Sequence, residues 1–180
     1  CGAGSVVGDS GCGRWGVGEV VGWVKSAGRV VAGVAQAGVR DVLSDASCEV
    51  DGYAVQCDGC EERPRLANWW GFDLRPEPGG LRFTLEDRKA GRSIEVLSPL
   101  FGAHNAENIV GVLAALASLG VPLDESIEAL RAHLGVKRRQ EIRGVASGVT
   151  IIDDFAHHPT AVAGTIEAIA QRHQGSRVVA

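Results

Sequence analysis

Val149-Thr150-Ile151-Ile152-Asp153-Asp154-Phe155-Ala156-His157-His158-Pro159-Thr160 is the stretch whose reading decides the fold. Its apolar run, ending at two aspartates, predicts a buried strand. Pro159 and Thr160 open a helix, because proline is favoured in the first helical turn. Val162, Ile166 and Ile169 are expected on its inner face, and Arg177-Val178-Val179-Ala180 starts a further strand. Strand, polar loop, helix, strand is the beginning of a parallel βαβ unit, so an α/β fold is expected. The polar loop sits where open α/β sheets bind ligands. An aspartate there can accept hydrogen bonds from ribose hydroxyls, and a histidine can contact phosphate or donate to a substrate oxygen. A solvated loop with a capping aspartate competes with that reading. A metal site is disfavoured: adjacent histidine side chains diverge, and no matching distant ligand pair is evident.

Working back along the chain, Lys137-Arg138-Arg139 falls within a hinge expected between Gly135 and Gly144, where a guanidinium fork could bind phosphate oxygens; a solvated basic linker explains the run equally. Before it, Ile127, Leu130 and Leu134 stripe one helix, capped by Asp124 and stopped by Gly135. Ile109, Val112, Leu113, Leu116 and Leu119 stripe another, ended by Gly120 and Pro122. The latter begins at Gly102-Ala103-His104-Asn105-Ala106-Glu107-Asn108. Asn105 and Asn108, three apart, share a face there and could read the donor and acceptor edge of an adenine; taken alone, an ordinary helix cap is the favoured reading of asparagine. Upstream, three apolar groups predict an antiparallel meander: Trp69 to Leu74, Leu81 to Leu85, and Ile94 to Leu100. Trp69 and Trp70 read as sheet packing. Val39, Val42 and Leu43 suggest a short helix before a turn at Asp51-Gly52. Cys57 and Cys60 form a lone C-x-x-C with no second pair to make a zinc site.

Composition bounds the function. Eighteen Lys and Arg against twenty-two Asp and Glu give a charge of −4, which disfavours a general nucleic-acid binder. Five cysteines in a chain too long to need disulfide staples, and apolar runs broken by charges, fit a cytoplasmic protein without a membrane span. Residues 1–33 are rich in glycine, specify neither strand nor helix, and contain no phosphate loop of the form G-x-x-x-x-G-K-[ST]. With no methionine anywhere, the chain reads as a fragment.

Taken in order, G-A-H-N-A-E-N from Gly102, G-V-K-R-R-Q-E-I-R-G from Gly135 and D-D-F-A-H-H-P-T-A-V from Asp153 resemble the ATP-dependent Mur ligases of peptidoglycan synthesis. The resemblance implies the C-terminal part of a central ATPase domain over 34–135, with antiparallel strands plus helices. The start of a Rossmann-like C-terminal domain would follow over 136–180, with 1–33 unassigned. It implies ATP and Mg2+ as cofactors, with UDP-N-acetylmuramate and a peptide as substrates joined through an acyl phosphate. Phe155-Ala156 and Ala161 look most like the branch that adds L-alanyl-γ-D-glutamyl-meso-diaminopimelate; the branch that adds L-alanine is the alternative. By motif, Asn105 and Asn108 would contact adenine, Arg139 the phosphates, and Asp154 the ribose. His157 would lie near the reacting groups. The family's phosphate loop and magnesium ligands are missing from this sequence, so the chain alone is expected to be inactive. A non-catalytic nucleotide-binding module is the remaining alternative.

Overall fold

The computed structural model describes residues 18–57, 62–133 and 135–180. Residues 18–23 are helical. The elements that follow are β1 (Arg29–Gly33), α1 (Ala37–Leu43), β2 (Glu49–Val55), β3 (Ala67–Glu77), β4 (Gly80–Asp87), β5 (Arg92–Ser98), α2 (Ala103–Ser118), α3 (Leu123–Arg131), β6 (Glu141–Ala146), β7 (Val149–Asp153) and α4 (Pro159–Arg172). β1 to β5 form one sheet in sequence order, and β6 and β7 form a second. No helix among the described residues is long and apolar enough to cross a membrane.

The mixed α/β class is as expected, but the parallel pairing lies elsewhere. β1 and β2 are parallel and joined through α1, and β2 is parallel to β3. From β3 to β5 the sheet is the expected antiparallel meander, turned at Pro78-Gly79 with Gly79 at φ +96°. Proline followed by a glycine with positive φ is the chemistry of a type II turn. β1 falls within the glycine-rich start for which the sequence specified no strand.

β7 does not pair with a following parallel strand. It pairs antiparallel with β6, and residues 177–180 form no strand. The antiparallel pairing is made by Ser147-Gly148, with φ of +49° and +78°, a two-residue turn of the kind that closes hairpins.

Asp51-Gly52, expected as a turn, lies inside β2. Gly52 is there because the neighbouring chain comes close: a Cβ would run into the Leu66 carbonyl and stand 3.1 Å from Val34 Cγ1. Asp51 is buried and neutralised by Lys89 and Arg29, with the Asn68 carboxamide donating to its Oδ1.

Adjacent tryptophans serve opposite faces, as the alternation of a strand requires. Trp69 packs with Phe83, Leu85, Val110 and Leu113 under α2 and α3. Trp70 packs with Val21, Val34, Leu43 and Ala54 under α1. The buried face of α2 is Ala106, Ile109, Val110, Gly111, Leu113 and Ala114, whereas Val112 and Leu119 are exposed. Counting large apolar residues misplaced that face because close approach needs small ones: a Cβ on Gly111 would stand 2.7 Å from Tyr53 Cζ.

Val162 and Ile166 stay exposed, and the one buried residue of α4 is Ala168. α3 starts at Leu123 after Pro122, so Asp124 lies in its first turn and does not cap it. Leu134 lies outside the described residues.

Gly52→Ala is expected to lower stability by roughly 2–3 kcal/mol, since backbone rather than a flexible side chain must move. A thermal melt followed by circular dichroism reads this as a lowered midpoint.

Candidate functional site

The second sheet is attached through residues 135–140, whose backbone is unusual. Gly135, Arg138 and Gln140 have φ of +89°, +59° and +51°. The left-handed region is costly for the two non-glycine residues, so surrounding bonds must hold them. The Asp154 carboxylate supplies one of these bonds, Oδ2 accepting from the Gln140 N–H at 2.9 Å, while its Oδ1 accepts from the Ala156 N–H at 2.8 Å within its own loop. Glu141 Oε2 accepts from the Arg138 N–H at 2.8 Å, which leads in holding its carboxyl below the usual range. The Phe155 N–H donates to the Arg138 carbonyl, and the Arg138 guanidinium lies 5.1 Å from the Phe155 ring centroid.

This arrangement borders a cleft of about 1350 Å³ between the start of α2, the 135–140 segment, the loop after β7 and one face of α4. Asn105, Asn108, Arg139 and Asp154 all line it, joined by His104 and Lys137. Four of the five residues singled out from sequence, drawn from three separate motifs, therefore meet at one place. The fifth does not. His157 is exposed outside the lining, its ring 5.3 Å edge-on from Phe155 and its Nδ1 3.1 Å from the Phe155 carbonyl oxygen.

Asn105 Nδ2 donates to the Phe101 carbonyl at 2.8 Å, which fixes the carboxamide and leaves its oxygen to accept. The Asn108 side chain, exposed at the mouth, hydrogen-bonds to none of the described residues. Lys137 and Arg139 likewise form no ion pair among the described residues. Two unpaired cations beside two carboxamides suit an anionic ligand with a flat polar group. On the other side of α2, burial pushes the Glu107 carboxyl up, and burial followed by the charge of Glu107 pushes the Tyr53 hydroxyl up. Among the described residues no group of three or more His, Cys, Asp or Glu is placed to hold a metal ion. Cys60 lies outside the described residues.

The profile of the Mur ligase glutamate ligase domain matches residues 138–180. A UDP-N-acetylmuramate–L-alanine ligase of Chloroflexus aggregans is 36% identical over 147 residues, 74% of this chain and 31% of that protein. The chain belongs to the Mur ligase family. Another Mur ligase, UDP-N-acetylmuramate–L-alanyl-gamma-D-glutamyl-meso-2,6-diaminoheptandioate ligase of Escherichia coli, is 36% identical over 127 residues, 68% of this chain and 27% of that protein.

Among solved structures, a murein peptide ligase of Psychrobacter arcticus superposes with a TM-score of 0.61 at 24% identity, over 92% of this chain and 33% of that one. A UDP-N-acetylmuramoylalanyl-D-glutamyl-2,6-diaminopimelate–D-alanyl-D-alanyl ligase of Acinetobacter baumannii gives 0.71 at 18% identity, over 89% and 34%. These likenesses show the Mur ligase fold. The chain spans about a third of the length of such relatives.

Sequence reasoning passed over two cleft residues, His104 and Gln140, although both stand inside motifs it quoted. Their signal was adjacency, each one position from a residue that was chosen.

Asp154→Asn replaces one acceptor oxygen by a donor, which must face either the Gln140 or the Ala156 N–H. A loss of about 1–3 kcal/mol is expected, read in denaturant melts together with faster amide exchange at Gln140 and Ala156.

Proposed function

We propose that the chain is the nucleotide-binding part of an ATP-dependent ligase that joins an amine to the carboxylate of UDP-N-acetylmuramate. The observation that carries this is the meeting of Asn105, Asn108, Arg139 and Asp154 on one cleft. In this reading the two carboxamides take the adenine edge, the Arg139 guanidinium reaches phosphate oxygens, and the lone pairs that Asp154 does not spend on its loop face the ribose. Residues 34–135 are the later part of the central domain, and 136–180 open the C-terminal one. When bound, ATP supplies the phosphoryl group that makes a substrate carboxylate reactive toward the incoming amine. His157 takes no part in this reading, since its ring turns to Phe155.

For the amine, Phe155-Ala156 and Ala161 favour L-alanyl-γ-D-glutamyl-meso-diaminopimelate. A second reading, L-alanine, is supported by the name of the Chloroflexus relative. In an enzyme that carries this segment intact, phosphate release on adding the tripeptide but not L-alanine supports the first reading, and the reverse supports the second.

Isothermal titration of the chain with ATP is expected to show weak, magnesium-independent binding. Asn108→Ala should weaken it about tenfold, the size of one or two hydrogen bonds. No binding by the unsubstituted chain overturns the nucleotide reading. With no phosphate loop in its sequence, the chain alone is expected to release no phosphate with any acceptor; ATP-dependent ligation by residues 1–180 would contradict that.

A further inference from the structure

At the seam between the two sheets one side chain lies beside groups of α2, α4 and the 135–140 segment. The His104 ring, in the first turn of α2, fills the space beside Gly102: a Cβ there would stand 2.9 Å from His104 Cε1, 3.0 Å from Nδ1 and 2.8 Å from Ala168 Cβ. On the α4 side, a Cβ built on Gly164 would lie 3.7 Å from Nδ1. At the opposite edge, the Gln140 carboxamide nitrogen is 3.3 Å from His104 Nε2. α2, the hinge and α4 therefore share one imidazole. Ala168 is buried beside this place, and Arg172 lies over the Phe101 ring at 5.8 Å one turn further along α4.

We propose that His104 is a positioning residue: seated among Gly102, Gly164 and Ala168 and bonded at Nε2 by Gln140, it pins α4 and the hinge to α2 and so sets where Arg139 stands relative to Asn105 and Asn108. The role assigned to Arg139 rests on the nucleotide reading; the pin itself does not.

The chemistry of the contact favours an uncharged ring. With Gln140 donating, Nε2 must accept, so the ring proton sits on Nδ1. Burial is the largest influence and lowers the affinity of the ring for a second proton. Arg139 from the hinge works in the same direction, against Asp154 from the loop after β7 and Glu167 from α4. Burial wins. A pinned histidine that binds protons less readily than a free one, whose ordinary value is about 6.5, makes the pin strongest above that pH. As pH falls below it, the released state takes up more protons and the pin weakens.

The test is a nuclear magnetic resonance pH titration of the full 180-residue chain without nucleotide. The His104 ring is expected to titrate below about 6.5, and the Gln140 side-chain amide and the Gly164 and Ala168 backbone amides should move with the same midpoint. His104→Gln should abolish titration at those three positions while the core amides of Phe83 and Val110 stay in place. Gln140→Ala, which removes only the donor to Nε2, should raise the His104 midpoint, and it serves equally where His104→Gln does not fold.

A ring that titrates at or above the free value, seam amides that ignore it, or a seam that still titrates in His104→Gln overturns the proposal. With ATP added, the affinity ratio of the unsubstituted chain to His104→Gln should fall roughly threefold or more between neutral and mildly acidic pH; a constant ratio overturns the link to Arg139. The ratio cancels the titration of the nucleotide itself. Absence of ATP binding at every pH would sink the nucleotide reading, while the nucleotide-free titration still decides the pin.

Discussion

A carboxylate has two oxygens, and in Asp154 each is committed to a different backbone N–H. One belongs to Gln140, before the β6–β7 hairpin, and the other to Ala156, after it. The hairpin and α4 are thereby tied to the hinge at both ends by one side chain. Charge-assisted bonds of this kind are among the stronger ones available to a partly exposed loop. Without them the left-handed backbone at Gln140 has no compensation, and the direction in which the hinge presents Arg139 is undetermined. The cleft depends on that direction, because Lys137 and Arg139 reach it from the hinge and Asn105 and Asn108 from α2.

The two sides of the cleft differ in stiffness. The α2 side is anchored in the main core, where Val110 and Ala114 are inaccessible to solvent and Gly111 brings the helix backbone against Tyr53. The other side rests on a two-stranded sheet whose Val145, Val149 and Ile151 are exposed. Two strands and one helix bury little by themselves. The described contacts that join them to the hinge and to α2 include directed polar ones from His104, Gln140 and Asp154.

Much of this was legible in the sequence, for identifiable reasons. The meander showed because Trp69 to Leu74, Leu81 to Leu85 and Ile94 to Val96 carry the alternation of strands separated by turn residues. The candidate cleft was legible through three motifs, four of whose residues line it. What stayed hidden depended on small residues and on pairing. Gly52 looks like a turn in a one-dimensional reading, and only the nearby Leu66 carbonyl reveals a crowded strand. Ala106, Gly111 and Ala168 carry little hydrophobic weight, yet they mark where helices approach closely. β7 was recognisable as a strand, but its partner was decided by Ser147-Gly148. His157, prominent beside the second aspartate, was drawn aside by the ring that precedes it.

Arg138 and Gln140 give the joint a particular mechanical character. Each holds a backbone conformation that costs on the order of 1–3 kcal/mol for a side chain with a Cβ, and each is repaid by a carboxylate, Glu141 for one and Asp154 for the other. Partial rotation would forfeit the bonds before reaching the relaxed backbone basin. Rotating either residue out of this conformation would break its carboxylate bond, so the main chain itself holds the direction of the guanidinium between them.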